Sequence, residues 1–174
     1  MNIKVDYSKA KIRNARPGDA MALIAAEKHI TLEPGQLHAL PHELDITTFE
    51  TKINQLADSP RGVYLVAEVD GVITAHGLLE PLHLESSQHV AQLSMAVHVG
   101  HQGHGLGEKL LLNLKDWART RTNLEKIELH VCSTNSRALA LYKKHSFKEE
   151  GRFLRRVKLN DDTYIDDIKM GRWL

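Results

Sequence analysis

From Val97 to Leu111 the chain reads VHVGHQGHGLGEKLL, with glycines at 100, 103, 105 and 107 and histidines at 98, 101 and 104. Two chemistries fit such a stretch: imidazoles holding a metal, or bare backbone holding an anion. The metal reading lacks partners. No cysteine or carboxylate stands beside His98, His101 and His104 to complete a tetrahedron, and His98 and His101 straddle the end of a strand. No metal is expected. The anion reading needs only a strand, a glycine turn and a helix start. A helix N-terminus has unpaired N–H groups and partial positive charge. Glycine at 103, 105 and 107 removes Cβ atoms and permits unusual dihedrals, so a phosphate can approach. Glycine in a first helical turn costs up to about 1 kcal/mol relative to alanine, so its repetition asks for an offsetting role. The anion is not held by a Walker loop, because Gly107-Glu108-Lys109-Leu110 lacks Lys-Ser/Thr after glycine. Nor does Gly103-His104-Gly105-Leu106-Gly107 have dinucleotide spacing.

The surrounding elements must position this turn. Apolar Leu106, Leu110, Leu111, Leu114, Trp117 and Ala118 recur at helical period, predicting a helix from about Gly105 to Arg121. Lys126 to Val131 alternates apolar Ile127, Leu129 and Val131 with Glu128 and His130, a strand. Strand, helix, strand implies a parallel pair with a right-handed crossover and a ligand at the strands' carboxyl ends. Upstream, a strand is expected over 11–15, then a helix opened by Asp19 as cap, a long loop over 31–45, and a helix over 47–57 with Phe49, Ile53 and Leu56 inward. A meander follows: Val63–Val69, a tight turn at Asp70-Gly71, Val72–Leu82, and His89–Val99. Downstream come a helix over 136–145 and a hairpin, 147–159 with 163–173, turning at Asn160-Asp161-Asp162. The fold class is mixed α/β: a mostly antiparallel sheet flanked by helices, with one parallel pair formed by 89–99 and 126–131.

Length and composition narrow the setting. The 174 residues suit one domain, 1–174, with residues 1–10 as an N-terminal arm or edge strand. The formal net charge of +1 points to neither nucleic acid nor a membrane surface. No apolar run approaches the ~18 residues of a membrane span, and the N-terminus lacks the apolar core of a signal peptide. Cys132 is the only cysteine, so no disulfide forms within the chain, and a reducing, cytoplasmic location is expected.

Two motifs together carry a family resemblance. Gln102-Gly103-His104-Gly105-Leu106-Gly107 resembles the Q/R-x-x-G-x-G/A loop of the GNAT acetyltransferase superfamily. Asn135 to Phe147, NSRALALYKKHSF, resembles that superfamily's N-x-x-A-x-x-L-Y-x-x-x-G-F motif, in the right order and at a suitable distance. The resemblance covers nearly the whole chain and is weakest over 28–60. It implies acetyl transfer from acetyl-coenzyme A to a primary amine, small molecule or peptide, by direct attack in a ternary complex, and a possible homodimer. It also implies site roles. Val97 and Val99 would pair with the pantetheine arm, beside a bulge that opens the sheet and splays the parallel pair around the cofactor. Backbone N–H groups over Gln102, Gly103, His104, Gly105, Gly107 and Glu108 would hold the pyrophosphate. Asn135 would touch the cofactor, though a plain helix cap explains it equally. Tyr142 would stand by the thioester sulfur as a general acid.

An alkyl ammonium has a pKa of about 10, so its attack needs a base or a water relay. His130 falls where some superfamily members carry a catalytic glutamate, and a neutral imidazole suits the task. Glu33, in the 31–45 loop, is the other candidate, as base or as acceptor-binding group. His76, Ser94 and Asp166 rank below them, and Asp166 and Asp167 could attract a cationic amine. Cys132 has no neighbour that would make a thiolate. Ser146 departs from the motif's glycine, and Gln102 from its commoner arginine. The rival to catalysis is a non-catalytic acyl-coenzyme A sensor.

Overall fold

The computed structural model describes residues 5–159 and 162–174. Residues 1–4 of the expected arm, and Asn160 and Asp161 of the expected last turn, lie outside these. Among the described residues seven strands form one sheet: β1 (Lys11–Asn14), β2 (Val63–Val69), β3 (Val72–Pro81), β4 (Val90–Val97), β5 (Lys126–Cys132), β6 (Lys148–Lys158) and β7 (Tyr164–Trp173). Their spatial order is β1-β2-β3-β4-β5-β7-β6, and every pair is antiparallel except β4–β5. Four α-helices flank it: α1 (Ala20–Ile30), α2 (Ile46–Ala57), α3 (Leu106–Arg121) and α4 (Ser136–Lys144).

The two faces of β2 show how the layers assemble. Leu65, Ala67 and Val69 join the α3 leucines Leu106, Leu110, Leu111 and Leu114 in one core. Tyr64 and Val66 point the other way, into a second core with Leu23 and Ile24 of α1 and Phe49, Ile53 and Leu56 of α2. Covered on both sides, the strand reads as a near-continuous apolar run rather than an alternation. Asp70 and Gly71 have φ of 49° and 79°, as the two-residue hairpin turn requires.

Three local expectations change. Residues 5–10 are not a strand: Tyr7–Lys9 form a short 3-10 turn, and Tyr7 docks on the glycine turn. Asp19 does not cap α1 with its side chain. Its carboxylate accepts from the Arg16 backbone and from Arg13, tying β1 to the helix start. The bulge expected in β4 is absent, since its register against β3 runs unbroken from Ala91 to Val97. The register shift lies one strand away, where Thr74 is the extra residue of β3 against Ala67 and Glu68.

Candidate active site

The parallel pair does not run its full length. β4 and β5 are paired from Val90 with Lys126 to Leu93 with Leu129. Beyond that, Ser94–Val97 keep β3 on one side only, while β5 continues against β7. The result is a wedge between two strands, with an unpaired backbone edge along one wall. Such an edge accepts an extended ligand as an added strand. Val97 leads into the glycine turn, where Gly100, Gly103 and Gly105 have φ of 86°, 81° and 77°. A Cβ built on Gly103 or Gly105 would meet no atom within 4 Å. These glycines thus serve a left-handed backbone, not protein packing, and the space above them is open. Gly107 differs: it lies in the first turn of α3, and an added Cβ would stand 3.3 Å from Val97.

A cleft of about 330 Å³ opens here. Val97, Val99, Gln102, Gly103, Gly105, Gly107, Glu108, Asn135 and Tyr142 all line it, as does Glu33 from the 31–45 loop. His104 does not. Its ring stacks on Tyr7 at 4.1 Å between centroids. The other two histidines of the turn also go separate ways, His101 Nδ1 to the Tyr7 hydroxyl and His98 into the core. Glu108 would repel a diphosphate were its charge not met. It is paired with Lys144 and His145 at the end of α4, which hold its carboxyl below the usual range. Arg137, on the first turn of α4, also lines the cleft, a cation that the motif comparison did not single out.

Asn135 caps α4, its Oδ1 accepting from the Ala138 N–H at 3.1 Å. Its Nδ2 donates to the Gln36 carbonyl, which anchors the 31–45 loop over the site. Tyr142 is buried beside Phe147, and burial raises its phenol well above the ordinary value, so it stays protonated at neutral pH. Tyr142 lines a second, smaller cavity as well, together with Glu27, His76, Ser94 and His130. That cavity shares Leu37, His38, Gln92 and His130 with a larger opening of about 670 Å³ beneath the 31–45 loop.

His130 is held from behind. Its Nδ1 lies 3.0 Å from Oδ2 of Asp167, whose other oxygen bonds His38 Nε2 at 3.0 Å. Arg156 Nε stands 3.5 Å from the same Oδ2. Asp167 is almost fully buried, so it is not open to attract an amine, as the sequence suggested. Asp166 is likewise engaged, by the Arg155 N–H and Arg152. His76 belongs to another chain of bonds: Glu27 Oε1 to His76 Nε2 at 2.9 Å, and His76 Nδ1 to His98 Nε2 at 2.9 Å. Burial, then the neighbouring His76, pushes His98 down to about 3, so it stays neutral. Burial and Asp167 push the Cys132 thiol up to about 11, leaving no nucleophilic thiolate at neutral pH. Sequence reasoning missed the Asp167 clasp because its members come from four separate segments, the 31–45 loop, β5, β6 and β7, which only the fold brings together.

The chain matches the acetyltransferase (GNAT) family over residues 29–147. It is 28% identical over 167 residues to the L-amino acid N-acetyltransferase AaaT of Escherichia coli, covering 95% of this chain and 98% of that one. It is 32% identical over 84 residues to a spermidine N(1)-acetyltransferase of Vibrio cholerae, covering 48% and 49%. Among solved structures, an acetyltransferase from Salmonella typhimurium in complex with acetyl-CoA superimposes with a TM-score of 0.84 at 23% identity, covering 95% and 94%. The family match spans the open β4 edge, the glycine turn, β5 and α4 together, and on that extent the chain belongs to the GNAT family and is an N-acetyltransferase that takes its acetyl group from acetyl-CoA.

Proposed function

We propose that the open edge at Val97 and Val99 pairs with the pantetheine arm, and that amides of 102–108, with Arg137, hold the pyrophosphate. Acetyl-CoA supplies an activated acyl group and a thiolate leaving group. The residues around it do the proton work. His130, with Asp167 accepting from Nδ1–H, presents Nε2 as the base that takes the ammonium proton. Tyr142, kept protonated by burial, donates to the departing sulfur. Attack is direct, with no enzyme nucleophile. Asn135 acts on the cofactor side as the cap that sets α4. Glu33 overhangs both clefts and stands as an acceptor-binding group.

One observation carries this reading: Tyr142 lines both the cofactor-side cleft and the cavity holding His130. The two relatives act on an L-amino acid and on spermidine, which supports a small amine as acceptor. The sheet from Lys11 to Trp173 supports one acetyltransferase domain across the chain, and the single buried thiol suits the cytoplasm. The test is an amine panel assayed by free thiol release from acetyl-CoA. Release with a small amine is expected. Tight coenzyme A binding without turnover on any amine would make the chain a sensor instead.

A further inference from the structure

The last hairpin contains an irregularity that the fold does not need. On β7, Asp167 faces Phe153 and Ile165 faces Val157, so three residues of β6, Leu154 to Arg156, oppose Asp166 alone. Two residues are therefore extra. Arg155 sits in the left-handed region at φ 54°, which a side chain makes costly. Asp166 holds the bulge, accepting from the Arg155 N–H at 2.8 Å and from Arg152. Bulges of this kind re-aim side chains beside active sites. Here it brings Arg156 to Asp167, on the very oxygen that holds His130.

Arg156 is then fixed on two sides, by Nε at Asp167 and by its guanidinium lying 4.6 Å over the Phe153 ring. Among the described residues its terminal amino groups carry no hydrogen bond, and the residue lines the 670 Å³ opening with His130. Lys158, the other strong cation there, pairs with Asp162. A planar fork held by its root is a carboxylate receptor. Sharing one oxygen of Asp167 sets the base and this receptor side by side. An acceptor that carries an amine and a carboxylate close together meets both groups at once.

We propose that Arg156 binds the acceptor's carboxylate, so that the acceptor is a free α-amino acid rather than a polyamine or a peptide N-terminus. This rests on the acetyltransferase reading above, with His130 facing the amine. The experiment compares L-amino acids with their carboxamides, which keep the amine and side chain but lose the negative charge. It measures kcat/KM by thiol release, and binding to the coenzyme A-saturated protein by calorimetry, for the unaltered chain and for Arg156→Gln. The unaltered chain should favour the acid on the order of 10- to 100-fold, as expected for a charged hydrogen bond. Arg156→Gln should collapse that ratio chiefly through KM. Asp166→Asn, which loosens the bulge but leaves the guanidinium, should reduce it in part. Equal use of acids and amides by the unaltered chain, or a ratio that survives Arg156→Gln, would overturn the assignment. Transfer to amines irrespective of carboxylate would sink this inference alone. Absence of thiol release with every acceptor would sink the acetyltransferase reading, and the calorimetric ratio would still judge Arg156.

Discussion

Tyr142 and Asp167 are both buried, and their surroundings give them opposite tasks. Tyr142 is buried, so its proton stays on at neutral pH, as the proposed general acid requires. Tyr142→Phe should keep coenzyme A affinity within about twofold and lower kcat by roughly 100-fold or more, in line with loss of one general acid. Stopped-flow thiol release and equilibrium binding check the two halves. Asp167 instead lies among His130, His38 and Arg156 and ties them together. Asp167→Asn keeps the shape but offers His130 an amide that can no longer enforce Nδ1–H. The expected result is a kcat fall on the order of 100-fold at unchanged KM for acetyl-CoA, read from steady-state kinetics. Tyr142 was legible in the sequence because its helix motif is local. Asp167 was not: 37 residues separate it from His130, and only strand register brings the pair together. The Glu27–His76–His98 chain was hidden for the same reason, since a lone histidine on a strand looks alike whether solvated or bonded.

At the scale of elements, the glycine turn and α4 show how departures from a motif acquire a physical cost. Gly105 has φ 77° and precedes α3 with nothing above it. Gly105→Ala should cost about 1–2 kcal/mol from the left-handed backbone, without a packing clash. It should also weaken coenzyme A binding, as a methyl enters the open space, by about tenfold or more if 1.4 kcal/mol of contact is lost. Thermal unfolding and calorimetry separate the two effects. Ser146 occupies the converse situation. It follows α4 at φ 65°, in a terminus where Phe147 N–H reaches the Tyr142 carbonyl and Ser146 N–H the Lys143 carbonyl. Glycine is the residue for that place. Ser146→Gly should raise stability by up to about 1 kcal/mol, seen as a higher denaturation midpoint with unchanged activity. The glycine positions were readable from sequence as backbone demands. The side-chain direction of Asp19, the docking of Tyr7 and the bulge at Leu154–Arg156 were not, because each is set by a partner outside its own segment.

For the molecule as a whole, the succession of strands and helices and the parallel pair followed from the periodicity of the sequence and from the strand–helix–strand unit, while the place of β7 between β5 and β6 did not. The splay of the parallel pair was implied by the family resemblance, but its point, after Leu93 and Leu129, was not, because pattern alone cannot say where a ladder stops. That parting shapes the proposed site: it leaves one strand edge without a partner strand, aims it at the glycine turn, and puts Tyr142 between the cleft at that turn and the cavity holding His130. Among the described residues no helix is long and apolar enough to cross a membrane. The most direct test is a crystal structure of the chain with coenzyme A. The account predicts a pantetheine arm paired along Ser94–Val97, a diphosphate on the amides of 102–108, and sulfur within hydrogen-bond reach of the Tyr142 phenol. Coenzyme A bound elsewhere, or a sulfur turned away from Tyr142, would contradict it.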